Sequence, residues 1–192
     1  MRVLPAVVTL LIAACLCGCL PVTTRVPAGT TVGFSPDPDL IGNWAIEDPV
    51  RDNVDTHERL QIVANPDGTM TATWTSDEDD HRTRYLLQVA ALGENHIVSA
   101  QMEDEDGPED PPPPSYDLMY YGPYSGGRVA VYMADRDVAA GAIRSGVLAG
   151  EIDTTDGDVT ITSDPARLDD FLSQPEGAEL FKAPFLILKK LS

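Results

Sequence analysis

Cysteine is almost absent from this chain of 192 residues, and the three that occur, Cys15, Cys17 and Cys19, lie within five positions near the N-terminus. The remainder of the chain therefore cannot form a disulfide. Small secreted domains often depend on such bonds because their cores are small. A chain of this length is consistent with one domain that buries enough apolar surface to fold without them.

Basic residues are also scarce: 13 Lys and Arg stand against 31 Asp and Glu, which gives a formal net charge of −18. Lysine occurs only at positions 182, 189 and 190. A surface this acidic repels nucleic-acid phosphates and anionic lipid head groups. Nucleic acid is therefore excluded as a partner, and the charge is typical of a highly soluble surface.

Long hydrophobic runs are missing except for residues 3–16, which follow the single positive charge of Arg2. This run is too short for a membrane anchor and is typical of a secretory signal peptide. Its end, residues 16–19 (Leu-Cys-Gly-Cys), resembles the lipobox of bacterial lipoproteins. The resemblance implies cleavage after residue 18 and lipid attachment at Cys19, which would become the first residue of the mature chain.

A second lipobox match, residues 12–15, makes Cys15 the alternative lipid site. Cys19 is preferred because cleavage before Cys15 would leave a very short signal and two free thiols in an oxidising compartment. Leu20 replaces the Asp that marks retention at the inner membrane in this class. We therefore expect a lipid-anchored protein of the cell envelope, on the periplasmic face of the outer membrane.

Residues 19–38 predict a lipid-anchored flexible tether, because four prolines and two glycines interrupt a stretch without helical periodicity. Residues 39–192 are predicted to form the folded domain. Within it, residues 103–115 predict an acidic, proline-rich loop in a polyproline II conformation, because the four successive prolines at 111–114 cannot donate to a strand ladder.

The domain is predicted to be mainly β, an antiparallel meander of about eight strands. Apolar residues alternate with polar ones in pairs of segments joined by short turns, of which residues 60–63 and 70–75 around the Asn-Pro-Asp-Gly turn at 65–68 are the clearest. Closure into a barrel would remove the exposed edges. The other predicted strands are 84–91, 96–102, 116–121, 128–133, 159–162 and 185–191.

Two segments predict short helices instead. Residues 137–145 are rich in alanine, and residues 164–172 carry Leu168, Phe171 and Leu172 on one face behind Asp164 as N-cap and a proline at the first position. The second is the better helix and is expected to pack against the barrel. Pro175 is expected to end it.

This layout resembles the lipocalin-like group, in which a Gly-x-Trp motif opens the first strand and its tryptophan closes one end of an eight-stranded barrel. Gly42 and Trp44 match that motif. The chain departs from true lipocalins because it lacks their Thr-Asp-Tyr turn and carries Lys189 and Lys190 where an arginine would contact the tryptophan. A set of uncharacterised bacterial lipoproteins shares the Gly-x-Trp opening, the Asp-Gly hairpin and the C-terminal helix and strand, over most of residues 40–191.

No catalytic constellation is evident. His57, His81 and His96 are far apart, and Gln61 breaks the zinc-protease pattern that His57-Glu58 begins. The acidic runs at 77–80, 103–106 and 153–158 lack the ligand spacing of a calcium loop. There is no Gly-x-Ser-x-Gly motif. We therefore predict a protein that is not an enzyme and that has no cofactor or metal.

The aromatic residues leave two functions open. Trp44, Trp74, Tyr116 and Tyr120 are predicted to point into the barrel, where they either fill it or line a ligand cavity. A hollow barrel would bind a small apolar or amphipathic molecule in the envelope. A filled barrel would instead indicate a structural lipoprotein that binds an envelope protein through its acidic surface and the loop at 103–115.

Overall fold

A computed structural model describes residues 22–50, 54–76, 82–103 and 114–191. The predicted signal peptide at 1–18, the lipid sites Cys19 and Cys15, and residues 104–113 of the predicted loop lie outside these ranges. The elements in chain order are β1 Val22–Thr24, β2 Gly42–Asp48, β3 Val54–Ala64, β4 Met70–Ser76, β5 Arg82–Leu92, β6 Asn95–Glu103, β7 Tyr116–Tyr124, β8 Arg128–Met133, α1 Arg136–Arg144, β9 Gly150–Ile152, β10 Val159–Ile161, α2 Pro165–Leu172, α3 Pro175–Ala178 and β11 Pro184–Lys190.

Eight of these strands form a closed antiparallel barrel. Strands β2 to β8 pair in sequence order, and β11 then lies between β8 and β2, so that every barrel strand has two neighbours. Closure satisfies the backbone N–H and C=O groups that an open sheet would leave at its edges. The predicted mainly β fold is confirmed, and its architecture is consistent with a lipocalin-like barrel.

The Asn-Pro-Asp-Gly turn sets the register of the β3–β4 hairpin. Gly68 adopts φ 91°, and its N–H donates to the Asn65 carbonyl at 3.3 Å. The Asp67 carboxylate accepts from both the N–H and the hydroxyl of Thr69, at 3.0 and 2.7 Å. The resulting pairs, Leu60 with Trp74 and Ile62 with Ala72, lie on the inner face of the barrel.

Strands β6 and β7 separate two hydrophobic cores. Val98 and Ala100 point into the barrel, whereas Ile97 and Leu118 lie in a second cluster on its outer face. Leu168 and Leu172 of α2 and residues of α1 complete this outer cluster. Because both faces of these strands are buried, their sequences do not show the simple alternation of a half-exposed strand.

Both predicted helices are confirmed. The Asp135 carboxylate accepts from the Val138 N–H at 3.0 Å to cap α1, and the Asp164 carboxylate accepts from the Arg167 N–H at 3.1 Å to cap α2. The helix α2 ends at Leu172, but Pro175 has a second role, because it opens the short helix α3. A proline suits this first position, where its missing N–H leaves no bond unmade.

The prediction of a flexible tether is wrong from residue 22 onward. The strand β1 pairs in parallel with β10 and antiparallel with the start of β7. Ala28 is 0% exposed, and its N–H donates to the Ser99 hydroxyl on β6 at 2.9 Å. We call residues 25–40 the N-terminal strap. It is held by side-chain acceptors on the barrel and on α2, a kind of binding that no local periodicity indicates.

Among the described residues, no helix is both long enough and apolar enough to cross a membrane.

Candidate functional site

The barrel encloses an apolar cavity of about 400 Å³ that is partly open to solvent. Side chains from β3 to β8, from β11 and from the N-terminal strap form its wall. The lining residues are Leu40, Leu60, Ile62, Ala72, Trp74, Thr83, Tyr85, Leu87, Val98, Ala100, Asp117, Met119, Tyr121, Val131, Met133, Phe185, Leu186 and Leu188.

Small side chains at two inward positions help to keep the interior empty. Ala72 on β4 and Ala100 on β6 are both buried and both line the cavity. An eight-stranded barrel is just wide enough for larger side chains to fill it, so alanine at such positions leaves room for a small ligand.

Trp44 occupies the interior but lies outside the cavity wall, as expected of a side chain that closes one end. It is 2% exposed, and its indole N–H donates to the Leu40 carbonyl at 2.8 Å. The Lys190 ammonium lies 5.2 Å from the centre of its ring, within the range of a cation–π contact. Lys190 therefore occupies the position at which the lipocalin-like resemblance implies an arginine.

This contact also explains the glycine of the Gly-x-Trp motif. Gly42 has φ 143°, and a Cβ at this position would lie 3.1 Å from Cε of Lys190. A larger residue would be strained and would push the lysine stem away from the indole. The motif thus fixes both the tryptophan and the approach of its cationic neighbour.

Tyr121 joins the cavity wall to the N-terminal strap. Its hydroxyl donates a short hydrogen bond to the Asp37 carboxylate, and its ring stacks on His96 at a centroid distance of 5.4 Å. Burial raises the pKa of Tyr121 strongly, and the Asp37 hydrogen bond raises it further. The phenol is therefore a fixed hydrogen-bonded element of the wall rather than a proton donor available for chemistry.

The opposite end forms the mouth of the cavity. Trp74, Thr83, Asp117, Met133 and Phe185 each lie within two residues of the strand ends that meet there. Phe185 is 42% exposed, although it is one of the large apolar side chains of the barrel. Phe185 therefore lies at the boundary between the cavity and solvent.

Two polar side chains of the cavity wall, Tyr85 and Asp117, interact electrostatically. Burial raises the pKa of the Asp117 carboxyl group. The pKa of Tyr85 is also raised, first by burial and then by the negative charge of Asp117. The wall is otherwise dominated by apolar side chains, so these groups give it a polar end.

The predicted aromatic residues divide between the two faces of the wall. Trp74 lines the cavity, but Tyr120 packs into the outer cluster, with ring centroids 5.8 Å from Phe181 and 5.5 Å from Tyr132. Tyr116 is on the same outer face by alternation with Leu118. The prediction that Tyr116 and Tyr120 point inward is therefore wrong, because the inward positions of β7 are 117, 119 and 121.

Asp117, Tyr85, Tyr121 and Thr83 are the polar cavity residues that the sequence interpretation missed. A signal existed for Asp117, since it lies two and four residues before Met119 and Tyr121 on the same strand face. The adjacent tyrosines at 120 and 121 gave no local indication of which one points inward.

Within the described ranges, no group of three or more His, Asp or Glu side chains is arranged to hold a metal ion. His96 lies on the barrel beside Tyr121, His57 adopts φ 63° on β3, and His81 falls outside the described residues.

Comparison with known proteins adds no relative to this picture, because no protein-family model, curated protein or solved structure matches the chain.

Proposed function

We propose that this protein is a non-catalytic lipoprotein of the cell envelope whose barrel binds a small apolar or amphipathic molecule. The observation that carries the proposal is the apolar cavity of about 400 Å³ inside a closed barrel. Ligand sites in proteins are typically clefts of about 300–1,000 Å³ with apolar walls and a few polar groups. The cavity, with its apolar wall and polar mouth, has this character.

Two methionines in the wall suit a ligand of modest shape specificity. Met119 and Met133 contribute flexible, polarizable side chains that adapt to different apolar surfaces. The fixed side chains, Trp44 and the Tyr121–Asp37 pair, lie toward the closed end of the barrel. A rigid closed end and an adaptable wall favour binding over chemistry.

The envelope address rests on the lipobox and Cys19 in the sequence. Only Leu20 and Pro21 separate Cys19 from the paired strand β1. An extended chain of three residues spans roughly 10 Å. A lipid on Cys19 would therefore hold the barrel close to the membrane surface, without the long spacer that the composition indicates, and a ligand could move directly between the bilayer and the barrel.

The alternative function, a structural lipoprotein that binds an envelope protein, assumed a barrel filled by its own side chains. The cavity favours the ligand-binding proposal. Side chains that line a cavity lose the packing contacts that a filled interior provides, so a purely structural barrel would be more stable if its side chains filled the space.

The experiment compares cavity-filling and surface variants of the mature chain, residues 19–192, with Cys19→Ser so that no acyl chain competes. Ala100→Phe places a ring in the cavity, whereas Ala91→Phe adds the same ring at an exposed position of β5. The neutral fluorescent probe N-phenyl-1-naphthylamine should bind the parent and Ala91→Phe, but at least about tenfold more weakly to Ala100→Phe.

Thermal unfolding must show that Ala100→Phe is folded, and it should be no less stable, because the ring enters empty space. Equal probe binding by a folded Ala100→Phe variant would refute the proposal. If the probe instead binds as expected, mass spectrometry of the native protein, extracted from its membrane without denaturation, would identify the natural ligand.

A further inference from the structure

The described part of the cavity wall carries negative charge and no positive charge. Among the described residues that line it, Asp117 is the single carboxylic acid, and none is lysine, arginine or histidine. Two of the described basic residues, Arg128 and Lys189, pair instead with Glu47 on the outside of the barrel.

Asp117 also lacks a hydrogen-bond donor among the described residues. Burial is the one cause that shifts its pKa, whereas a donated hydrogen bond or a nearby cation would lower that pKa. Its backbone is engaged, since β7 pairs with Thr23 of β1 and Ala100 of β6 at this position. The strand is therefore fixed, while the carboxyl group has no donor within the part of the chain that the structure describes.

A partly buried carboxyl group without a partner destabilises a folded protein. A structural residue at this position would be apolar, like its neighbours on the inner face, Met119 and Ala100. This destabilisation is offset when the ligand itself supplies the cation that pairs with Asp117.

We propose that the barrel selects amphipathic cations: molecules with an apolar body that enters the cavity and an amine that pairs with Asp117 at the mouth. The proposal rests on the proposed ligand-binding function and specifies its ligand class. The phenol of Tyr85, whose pKa already responds to Asp117, adds a hydrogen-bonding group beside the same charge.

The same geometry disfavours fatty acids. A fatty acid carboxylate at the mouth would meet Asp117 without an intervening cation, inside a chain whose net charge is −18. Like charges repel, and the repulsion is strongest where water is partly excluded. An alcohol of the same length would avoid the repulsion but could not form the ion pair.

The test uses three probes with one apolar chain length: decylamine, decanol and decanoate, each below its micelle concentration. Isothermal titration calorimetry at pH 7 measures their affinity for three proteins. The parent is residues 19–192 with Cys19→Ser, and the two variants add either Asp117→Asn or, as the control, Asp170→Asn. Asp170 lies exposed on α2, so this control changes the charge equally away from the cavity.

We expect decylamine to bind the parent and Asp170→Asn about 10- to 100-fold more tightly than decanol, as a charge-assisted hydrogen bond permits. Decanoate should bind most weakly. In Asp117→Asn the amine and the alcohol should bind within about threefold of each other, and decanoate should gain affinity.

Equal binding of decylamine and decanol to the parent would overturn the inference and leave the ligand-binding function intact. A preference for the amine that survives in Asp117→Asn would do the same. If none of the three probes binds the parent, the proposed function itself fails. The comparison of probes on the parent remains decisive even if Asp117→Asn does not fold.

Discussion

Asp169 holds the N-terminal strap on the barrel, and its removal should have a large and localised effect. The side chain is 3% exposed, and its carboxylate accepts from the Gly29 N–H at 2.6 Å and from the N–H and hydroxyl of Thr31 at 2.9 and 2.5 Å. Asp169→Ala would leave two backbone N–H groups without their acceptor. A hydrogen bond to a charged group contributes about 1.5–3 kcal/mol, and the two bonds from Thr31 are only partly buried, so we expect a total loss of about 3–5 kcal/mol.

A loss of this size is a large share of the total stability of a typical domain, which is about 5–15 kcal/mol. Denaturant unfolding of the mature chain, followed by tryptophan fluorescence, measures it. Asp170→Ala is the matched control, since Asp170 is the exposed neighbour on the same helix. Hydrogen exchange should also show the amides of residues 25–31 losing protection in Asp169→Ala but not in the control.

The reasoning would be refuted if Asp169→Ala and Asp170→Ala unfolded at the same denaturant concentration. Fast exchange of residues 25–31 in the parent protein would refute it as well. Either result would mean that the strap is not bound, and the prediction of a flexible tether would then hold for these residues.

Two further predictions concern the barrel. Trp44→Ala should lower the free energy of unfolding by about 3–5 kcal/mol in a denaturant titration. Trp74→Ala enlarges an existing cavity and should lower it by less than half as much. Equal losses would argue against a closed end at Trp44. Because burial raises the pKa of Asp117, its ionised form destabilises the fold. Asp117→Asn should therefore raise the unfolding temperature at neutral pH, and the gain should vanish as the pH falls toward and below the ordinary aspartate value of 3.8. A difference that is constant with pH would show that ionisation of Asp117 is not its cause.

The local elements were predictable because their signals are local. The Asn-Pro-Asp-Gly turn with its threonines defines the β3–β4 hairpin, and Asp164 with Pro165 defines the start of α2. The Gly-x-Trp motif correctly indicated a buried tryptophan, whereas Lys190, which had counted as a departure from lipocalins, supplies the cation beside its ring. Closure of the barrel followed from the number of strands and the short turns between them.

The register of β7 could not be predicted because both of its faces are buried. The outer cluster takes Leu118 and Tyr120, and the cavity takes Met119 and Tyr121, so apolar side chains run along the strand without alternation. The side chain that resolves the ambiguity, Asp37, lies on the strap and is distant in sequence.

The strap was missed for a related reason. Composition indicates how a segment behaves alone, and a proline-rich segment alone is extended and solvated. Its binding depends on Ser99 and Asp169, which lie 71 and 140 residues away from their partners Ala28 and Gly29. The cavity likewise depends on Ala72 and Ala100 both facing the barrel interior, which only the folded arrangement determines.

The central claim is that the side chains of the barrel leave an apolar cavity between them, and xenon tests it without any assumption about the natural ligand. Xenon occupies dry apolar cavities of this kind. A crystal of the mature chain under xenon pressure should show xenon inside the barrel, in contact with Leu87, Val98 and Met119. An interior in which these side chains meet across the barrel axis, with no xenon between them, would contradict the account.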